Sequence, residues 1–377
     1  MPHPLNPTRI MQLVFWHNFI SPHQAPYMRA LAESGHDVLV VATEAMSEDR
    51  LKLGCTLPDL GPARAIVSPD HAQVVEIINQ SADDSIHFIA GARGTRLGKQ
   101  VAVACRAAHR RMGIVTESPD VRGFSGFLRR CKYSIERVGI GRFFDFVLAM
   151  GTTGVRWFLQ CGYPAQRVFS FAYVTEKPQM LLAVAVEPSA RFVFVGRLVE
   201  LKGVDLLLQA IAQTAGVRLE VIGDGPLLSE LISLAEALVI SDRVRWLGQM
   251  GQAGIQQHLN GADALVLPSR KDGWGAVVNE ALMVGTPVIC STACGATELL
   301  RSPILGTVFR SGSVDELASA LKDFAGHGRR TAADRERIRG WSRCIEGHAI
   351  AGYVESILSH VYSGAPRPEA PWRSIIP

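Results

Sequence analysis

The stretch DALVLPSRKDGWGAVVNEALMVGTPVICS, residues 263–291, decides how the chain is read. "ALVLPS" is an apolar run of strand length, and "TPVICS" is another. Between them "AVVNEALMVG" has helical spacing and closes at Gly285, a natural stop signal. Two buried strands around a helix make a βαβ unit, which implies parallel pairing and a right-handed crossover. The loop into that helix carries Asp272, Gly273, Trp274 and Gly275. Two glycines around a large ring predict a backbone that turns sharply or comes close to something.

The same alternation runs outward in both directions. In the first half "MQLVFWH", "HDVLVVAT", "SIHFIAG", "GIVTES" and "FDFVLAMG" read as strands, with helices such as "APYMRALAESG" and "HAQVVEIINQS" between them. Pro178, in the polar "FAYVTEKPQM", interrupts the pattern. It then restarts with "RFVFVGR", "RLEVIGDG", "VRWLGQ" and the opening stretch. The expected organisation is an α/β domain over residues 1–177 and a second over 178–345. Residues 346–377 should form a helix packing back toward the first domain, followed by an irregular proline-rich tail. A length of 377 residues, 47% of them apolar, suits two cores.

Composition removes several classes of function. No segment approaches the eighteen apolar residues of a spanning helix, and the N-terminal stretch lacks the basic and apolar regions of a secretory signal. Seven scattered cysteines suit a reducing cytosol, and Cys290 and Cys294 have no partner pair at zinc-like spacing. The net charge of +4 is uneven: Gly91–Arg142 holds twelve Lys or Arg against Glu117, Asp120 and Glu136. "GARGTRLGKQ" is close to a phosphate-binding P-loop, but Arg93 stands where glycine is required and Gln100 where Ser or Thr is. There is no G-x-G-x-x-G with a downstream acid, as a dinucleotide dehydrogenase needs, and no acidic D-x-D triplet for a metal.

Open α/β sheets bind ligands at the carboxyl ends of their strands, and four loops of the second half carry chemistry there. In "FVGRLVELKG", Arg197 follows Gly196 and Lys202 precedes the helix. Cations at an already positive helix start make sense if an anion sits between them, and a solvated basic loop is the plain alternative. In "VIGDGP", Gly223, Asp224 and Gly225 predict a close backbone approach, to a ligand or to a neighbouring strand. Gly248 ends the third strand, ahead of Gln249 and Met250. In the fourth loop Gly273, Gly275, Ala276, Val277 and Val278 free backbone donors for an anion or sugar hydroxyls. Glu280 then offers a carboxylate to a vicinal diol, or serves only as a dipole-favoured acid in a first helical turn.

Taken in order, "GR-x4-KG-x-D-x-L", "IGDGP", "WLG" and "DGWG-x3-NEAL-x2-GTPVI" resemble the signatures of the family 4 glycosyltransferases, over about residues 190–300. The resemblance implies the GT-B fold, two Rossmann-like domains facing each other across a central cleft. It implies retaining, metal-independent transfer from a UDP- or GDP-sugar, with no cofactor. Carried over, Arg197 and Lys202 hold the diphosphate and Glu280 the ribose. The Asp272–Val278 segment, with Trp274 walling the pocket, holds the sugar, and the backbone near Leu247–Met250 faces the base. The family usually has Glu where this chain has Asp272, which shortens the reach to the sugar by one methylene.

The first domain is then expected to bind the acceptor, a glycan or lipid-linked glycan of surface polysaccharide. The loop after its first strand offers His17, His23 and Gln24 but no paired glycines, and Glu117 stands where the family commonly has a His. Glu117 is open to two roles, binding a sugar hydroxyl or taking the acceptor proton. A sugar-nucleotide epimerase or hydrolase, or a non-catalytic sugar-nucleotide sensor, are the rival readings. The expected location is cytoplasmic, at the cytosolic face of a membrane. There Arg122, Arg129, Arg130, Lys132, Arg137 and Arg142, interleaved with Phe124, Phe127, Phe143 and Phe144, would meet anionic lipid. An ordinary helix with core phenylalanines and solvated arginines is the plain alternative, and nucleic acid is not an expected partner.

Overall fold

The computed structural model describes residues 10–46, 57–91, 95–117, 119, 123–178 and 190–374. Arg93, Asp120 and Arg122 therefore lie outside the described residues. The described residues divide into two compact units, one built from those up to Glu176 together with Ile345–Ser374, the other from those within Lys177–Cys344.

In the first unit the strands are β1 (Gln12–Phe19), β2 (Asp37–Glu44), β3 (Arg64–Val67), β4 (Ile86–Ala90), β5 (Arg111–Thr116), β6 (Phe146–Met150) and β7 (Val168–Phe171). They pair in parallel in the order β3-β2-β1-β4-β5-β6-β7. The helices are α1 (Ala25–Glu33), α2 (His71–Gln80), α3 (Arg96–Ala107), α4 (Gly123–Val138) and α5 (Gly151–Gln160). Local sequence fixes several of their ends. Asp70 and Gln73 close a reciprocal capping box on α2, and the Thr95 hydroxyl accepts from the Gly98 N–H at the start of α3.

The second unit repeats the plan with β8 (Ala190–Val195), β9 (Val217–Ile222), β10 (Val244–Gly248), β11 (Ala264–Leu267), β12 (Val288–Ser291) and β13 (Gly306–Phe309). Its parallel order, β10-β9-β8-β11-β12-β13, reverses direction between β8 and β11. That is the doubly wound Rossmann order, and its reversal is the place where such sheets take ligands. The helices are α6 (Val204–Ala212), α7 (Leu228–Ala237), α8 (Gln252–Gly261), α9 (Val277–Met283), α10 (Val314–His327) and α11 (Ala332–Ser342).

The last long helix, α12 (Gly347–Ser363), returns to the first unit and packs on α1. Tyr353 donates its hydroxyl to the Ser170 carbonyl at 3.1 Å, and Tyr362 donates to the Asp145 carboxylate at 2.9 Å. Beyond it, Arg367 donates to the Val168 carbonyl at 2.6 Å and lies over the Phe169 ring. No helix of the described residues is long and apolar enough to cross a membrane.

Three strands depart from the sequence reading, which assigned none at β3, β7 or β13. Each has four residues and lies at a sheet edge, so its periodic signal is short. Helix α5 was also missed, because its weak helix formers are held by burial of Trp157 and Phe158 instead.

Arg335 of α11 is the unusual core residue of the second unit. It is buried, and its guanidinium donates to the carbonyls of Asn260 (2.7 Å) and Ala262 (3.1 Å) and to the Thr286 hydroxyl (2.8 Å). Burial lowers its pKa to about 10, so it remains charged at neutral pH while its donors satisfy main-chain oxygens at the end of α8 and the hydroxyl of Thr286. Arg335→Met keeps the volume and strands those acceptors. The expected cost is about 2–4 kcal/mol, read as a fall of roughly 5–10 °C in the unfolding transition of this unit. An unchanged midpoint would show that water replaces the guanidinium without loss.

Candidate functional site

The loops leaving β8, β9, β10 and β11 are joined main chain to main chain. The Gly196 N–H donates to the Ile222 carbonyl and the Leu198 N–H to the Asp224 carbonyl, at 3.0 and 2.9 Å. The Gly223 N–H donates in turn to the Gly248 carbonyl at 2.8 Å. A Cβ at Gly223 would overlap the Gly196 carbonyl oxygen, and one at Gly225 the Leu198 carbonyl. The glycine-aspartate-glycine turn thus has its close approach in the neighbouring loop, the second of the two readings its sequence allowed. The Asp224 carboxylate accepts from the Gly225 N–H at 2.7 Å, bracing its own turn.

Across the reversal, Gly203 has a left-handed backbone (φ 68°), and a Cβ there would overlap the Pro268 carbonyl. Arg270, which the sequence reading passed over, grips Asp205 through two hydrogen bonds of 2.7 and 2.6 Å. Although burial works against it, that fork holds the Asp205 carboxyl below its ordinary range. Above this anchor the Lys202 ammonium meets the Asp272 carboxylate at 2.5 Å. The Arg197 guanidinium, exposed, has no hydrogen bond or ion pair among the described residues.

The Asp272–Gly275 loop rests on the loop after β12. The Asp272 N–H donates to the Ala293 carbonyl at 3.1 Å, and the Ala296 N–H to the Trp274 carbonyl at 2.8 Å. Trp274 is fully buried, and its indole N–H donates to the Asn279 side chain at 2.8 Å. This corrects the expectation that Trp274 walls a pocket: the ring is a peg that pins the loop from inside. Asn279, itself buried, is the partner that sequence reasoning missed, and its only signal was its place in "NEAL". Gly275 has φ 93°, and a Cβ there would lie 2.7 Å from Leu267. The chain then enters α9 through Ala276, so Val277 and Val278 begin the helix.

Glu280, in the first turn of α9, is only partly open to solvent, and its carboxylate makes no hydrogen bond among the described residues. Burial pushes its pKa up to about 7. A carboxylate with unmet lone pairs, desolvated at a ligand-binding strand end, is suited to accept hydroxyl donors. Gln249 is exposed and Met250 half-buried beyond Gly248, whose φ is 67°. Among the described residues no group of three or more His, Cys, Asp or Glu is placed to hold a metal.

The first unit has its own cluster at strand ends. The Tyr173 hydroxyl donates to the Glu117 carboxylate, and the His23 ring lies 5.5 Å from the Tyr173 ring. Tyr173 carried no sequence signal. His17 is buried, with Nε2 unpartnered among the described residues, and burial lowers its pKa to about 4. Gln24 is buried and accepts from the Tyr27 hydroxyl at 3.1 Å, so its side chain is engaged within the fold.

Residues 184–337 match the family model described as "Glycosyl transferases group 1". Those residues are similar to a group 1 glycosyl transferase domain. Over 153 residues the chain is 33% identical to the D-inositol 3-phosphate glycosyltransferase of Mycobacterium marinum, and over 162 residues 35% identical to that of Mycobacterium bovis. These alignments take in 39% and 41% of this chain but only about a third of the relatives, 33% and 32%. Among solved structures, Anabaena HepE in complex with UDP aligns with 93% of this chain and 100% of its own (TM-score 0.73, 20% identity). The lipopolysaccharide outer core galactosyltransferase WaaB aligns with 92% of this chain and 99% of its own (TM-score 0.69, 18% identity). The fold is therefore GT-B, two Rossmann-like units in one chain, and the residues that match the group 1 model lie in the second.

The pH dependence of stability follows from Glu280. Because its folded pKa is raised from 4.5 to about 7, the folded state holds more protons than the unfolded one between those values. Stability from this group is therefore lost as pH rises through that window. Glu280→Gln should match the parent near pH 4 and exceed it above pH 7 by about 1–2 kcal/mol, after discounting for partial exposure. Thermal midpoints at the two pH values test this, and a variant less stable at the higher pH contradicts it.

Proposed function

We propose that the chain is a retaining, metal-independent glycosyltransferase of the hexosyltransferase type. Its donor is a UDP- or GDP-sugar, and its acceptor a glycan or lipid-linked glycan of surface polysaccharide, met at the cytosolic face of a membrane. The observation that carries the reading is the meeting of Lys202 and Asp272, beside an uncommitted Arg197, at the reversal of the Rossmann sheet. Support for a nucleotide sugar comes from HepE, whose structures are described in complex with UDP, with UDP and glucose, and with UDP-glucose. Support for a glycan or sugar-phosphate acceptor comes from WaaB and from the inositol-phosphate relatives, by their names.

In this reading a diphosphate enters between Arg197 and Lys202. Arg197 has no carboxylate to leave among the described residues, whereas Lys202 turns from Asp272 to the more highly charged phosphates. Asp272, released, faces the sugar, and Glu280 takes the ribose diol. As the bond to the sugar breaks, negative charge grows on the leaving phosphate, where fixed cations and the first amides of α9 stabilise it. The acceptor hydroxyl attacks from the same face, and its proton passes to the leaving phosphate oxygen. Glu117, held by Tyr173, is the carboxylate available on the acceptor side.

Arg197→Ala removes a side chain without partners among the described residues and should reduce turnover at least about a hundredfold, roughly 3 kcal/mol. Its thermal midpoint should stay at the parent value. Nucleotide release should require an acceptor, should persist in excess chelator, and should follow a thermal shift with UDP- or GDP-sugars. Release that ignores the acceptor indicates a hydrolase or epimerase, and complete loss in chelator would falsify the metal-independent step.

A further inference from the structure

Helix α4 is amphipathic the wrong way round for a water-facing element. Phe124, Phe127, Leu128, Ile135 and Val138 are between 52% and 73% exposed, and Cys131 is exposed with them. At 3.6 residues per turn these six positions fall within an arc of about 100°. Tyr133, on the opposite side of the helix, is the residue that packs inward, its ring 5.4 Å from Trp157 and 6.3 Å from Phe158. The apolar stripe therefore points directly away from the core.

Cations border the stripe. Lys132 lies on one flank and Arg130 on the other, both exposed, while Arg129, also exposed, and Arg137 lie farther back on either side of Tyr133. The single acid of the helix, Glu136, pairs with Lys132 at 4.0 Å. Phe143 and Phe144, grouped with this segment in the sequence reading, do not belong to the surface. Phe144 is buried, and Phe143 packs on the core beneath Arg106 and Arg142. Arg122 lies outside the described residues.

We infer that α4 is the element by which the chain docks on an anionic lipid surface. The helix lies in the plane of the headgroups, with the Phe124–Val138 stripe inserted among the acyl chains and the flanking cations at the phosphates. Charge complementarity selects this occupant. A second copy of the chain would bring the same cations against one another on both sides of the stripe, whereas an anionic bilayer supplies apolar depth and negative charge together. The inference deepens one part of the proposed function, the membrane-face acceptor, and rests on that reading only for its biological use. Its test involves no sugar donor, so either can fail alone.

The whole chain is mixed with vesicles of phosphatidylcholine alone or with about one third phosphatidylglycerol, and bound protein is measured by flotation. Binding is expected to the anionic vesicles only, and to be largely released at about 0.5 M salt. Arg129→Glu/Arg130→Glu should weaken partitioning at least roughly tenfold. Phe124→Ser/Phe127→Ser should weaken it comparably while leaving the thermal midpoint unchanged, because neither side chain is in the core. An environment-sensitive fluorophore on Cys131, the exposed member of the described cysteines, should shift to the blue on binding. Equal recovery in the soluble fraction with both vesicle types overturns the inference. So does a dimer in lipid-free solution that Phe127→Ser dissociates, which assigns the stripe to a second copy.

Discussion

Everything at the candidate site depends on one constraint: the backbones of neighbouring strand-exit loops touch, and only glycine lets them. Gly223 lies on the Gly196 carbonyl, Gly225 on that of Leu198, Gly203 on that of Pro268, and Gly295 on that of Gly273. Each contact replaces a side chain with a main-chain junction, so four loops from four strands behave as one rim. Such a rim has few internal degrees of freedom, which is what preorganisation of charge requires. A site made of independent loops would have to order them as the ligand arrived.

On that rim the electrostatics are arranged by pairing some cations and leaving another open. Arg270 is committed to Asp205 by a two-bond fork, and it serves to hold two loops at the sheet reversal together. Lys202 is committed to Asp272 through a single contact, which a multivalent anion can displace. Arg197 is committed to nothing among the described residues. The three cations thus form a series from structural to available. Glu280 stands apart from them as a carboxyl whose pKa burial raises to about 7, so near neutral pH it carries less negative charge than an ordinary carboxylate.

How much of this was legible in the sequence depends on the range of the interaction. The central strands and the loops themselves could be read, because period and glycine placement are local properties. The edge strands β3, β7 and β13 could not: β11 and β12 are as short, but their apolar runs are unbroken, whereas Arg64, Ser170 and Gly306–Thr307 open or interrupt those at the edges. At the site, the types of residue were legible and their pairings were not. Arg270 and Asp205 are 65 positions apart, and nothing in either neighbourhood announces the other. Trp274 shows the same limit at close range: two flanking glycines suit a ring facing a ligand as well as one turned into the core. Its indole bond to Asn279 decides for the core.

The phenylalanines around α4 carry the point further. Phe124, Phe127, Phe143 and Phe144 sit in one basic stretch with indistinguishable local composition, yet two face water and two face the core. Tyr133, docked against Trp157 and Phe158, marks the rotation of the helix, and with it which ring goes where. Once that rotation is fixed, the exposed stripe is held at a cost, because apolar area left in water forfeits the stabilisation that burial would give. Rotating α4 by half a turn would bury the stripe and expose Tyr133, which tolerates water far better through its hydroxyl. That the packing holds the less favourable face outward implies a compensating surface, and the basic flanks state its charge. The two units thus present positive charge in different ways: on a rigid glycine-built rim in one, and along a helix of adaptable side chains in the other.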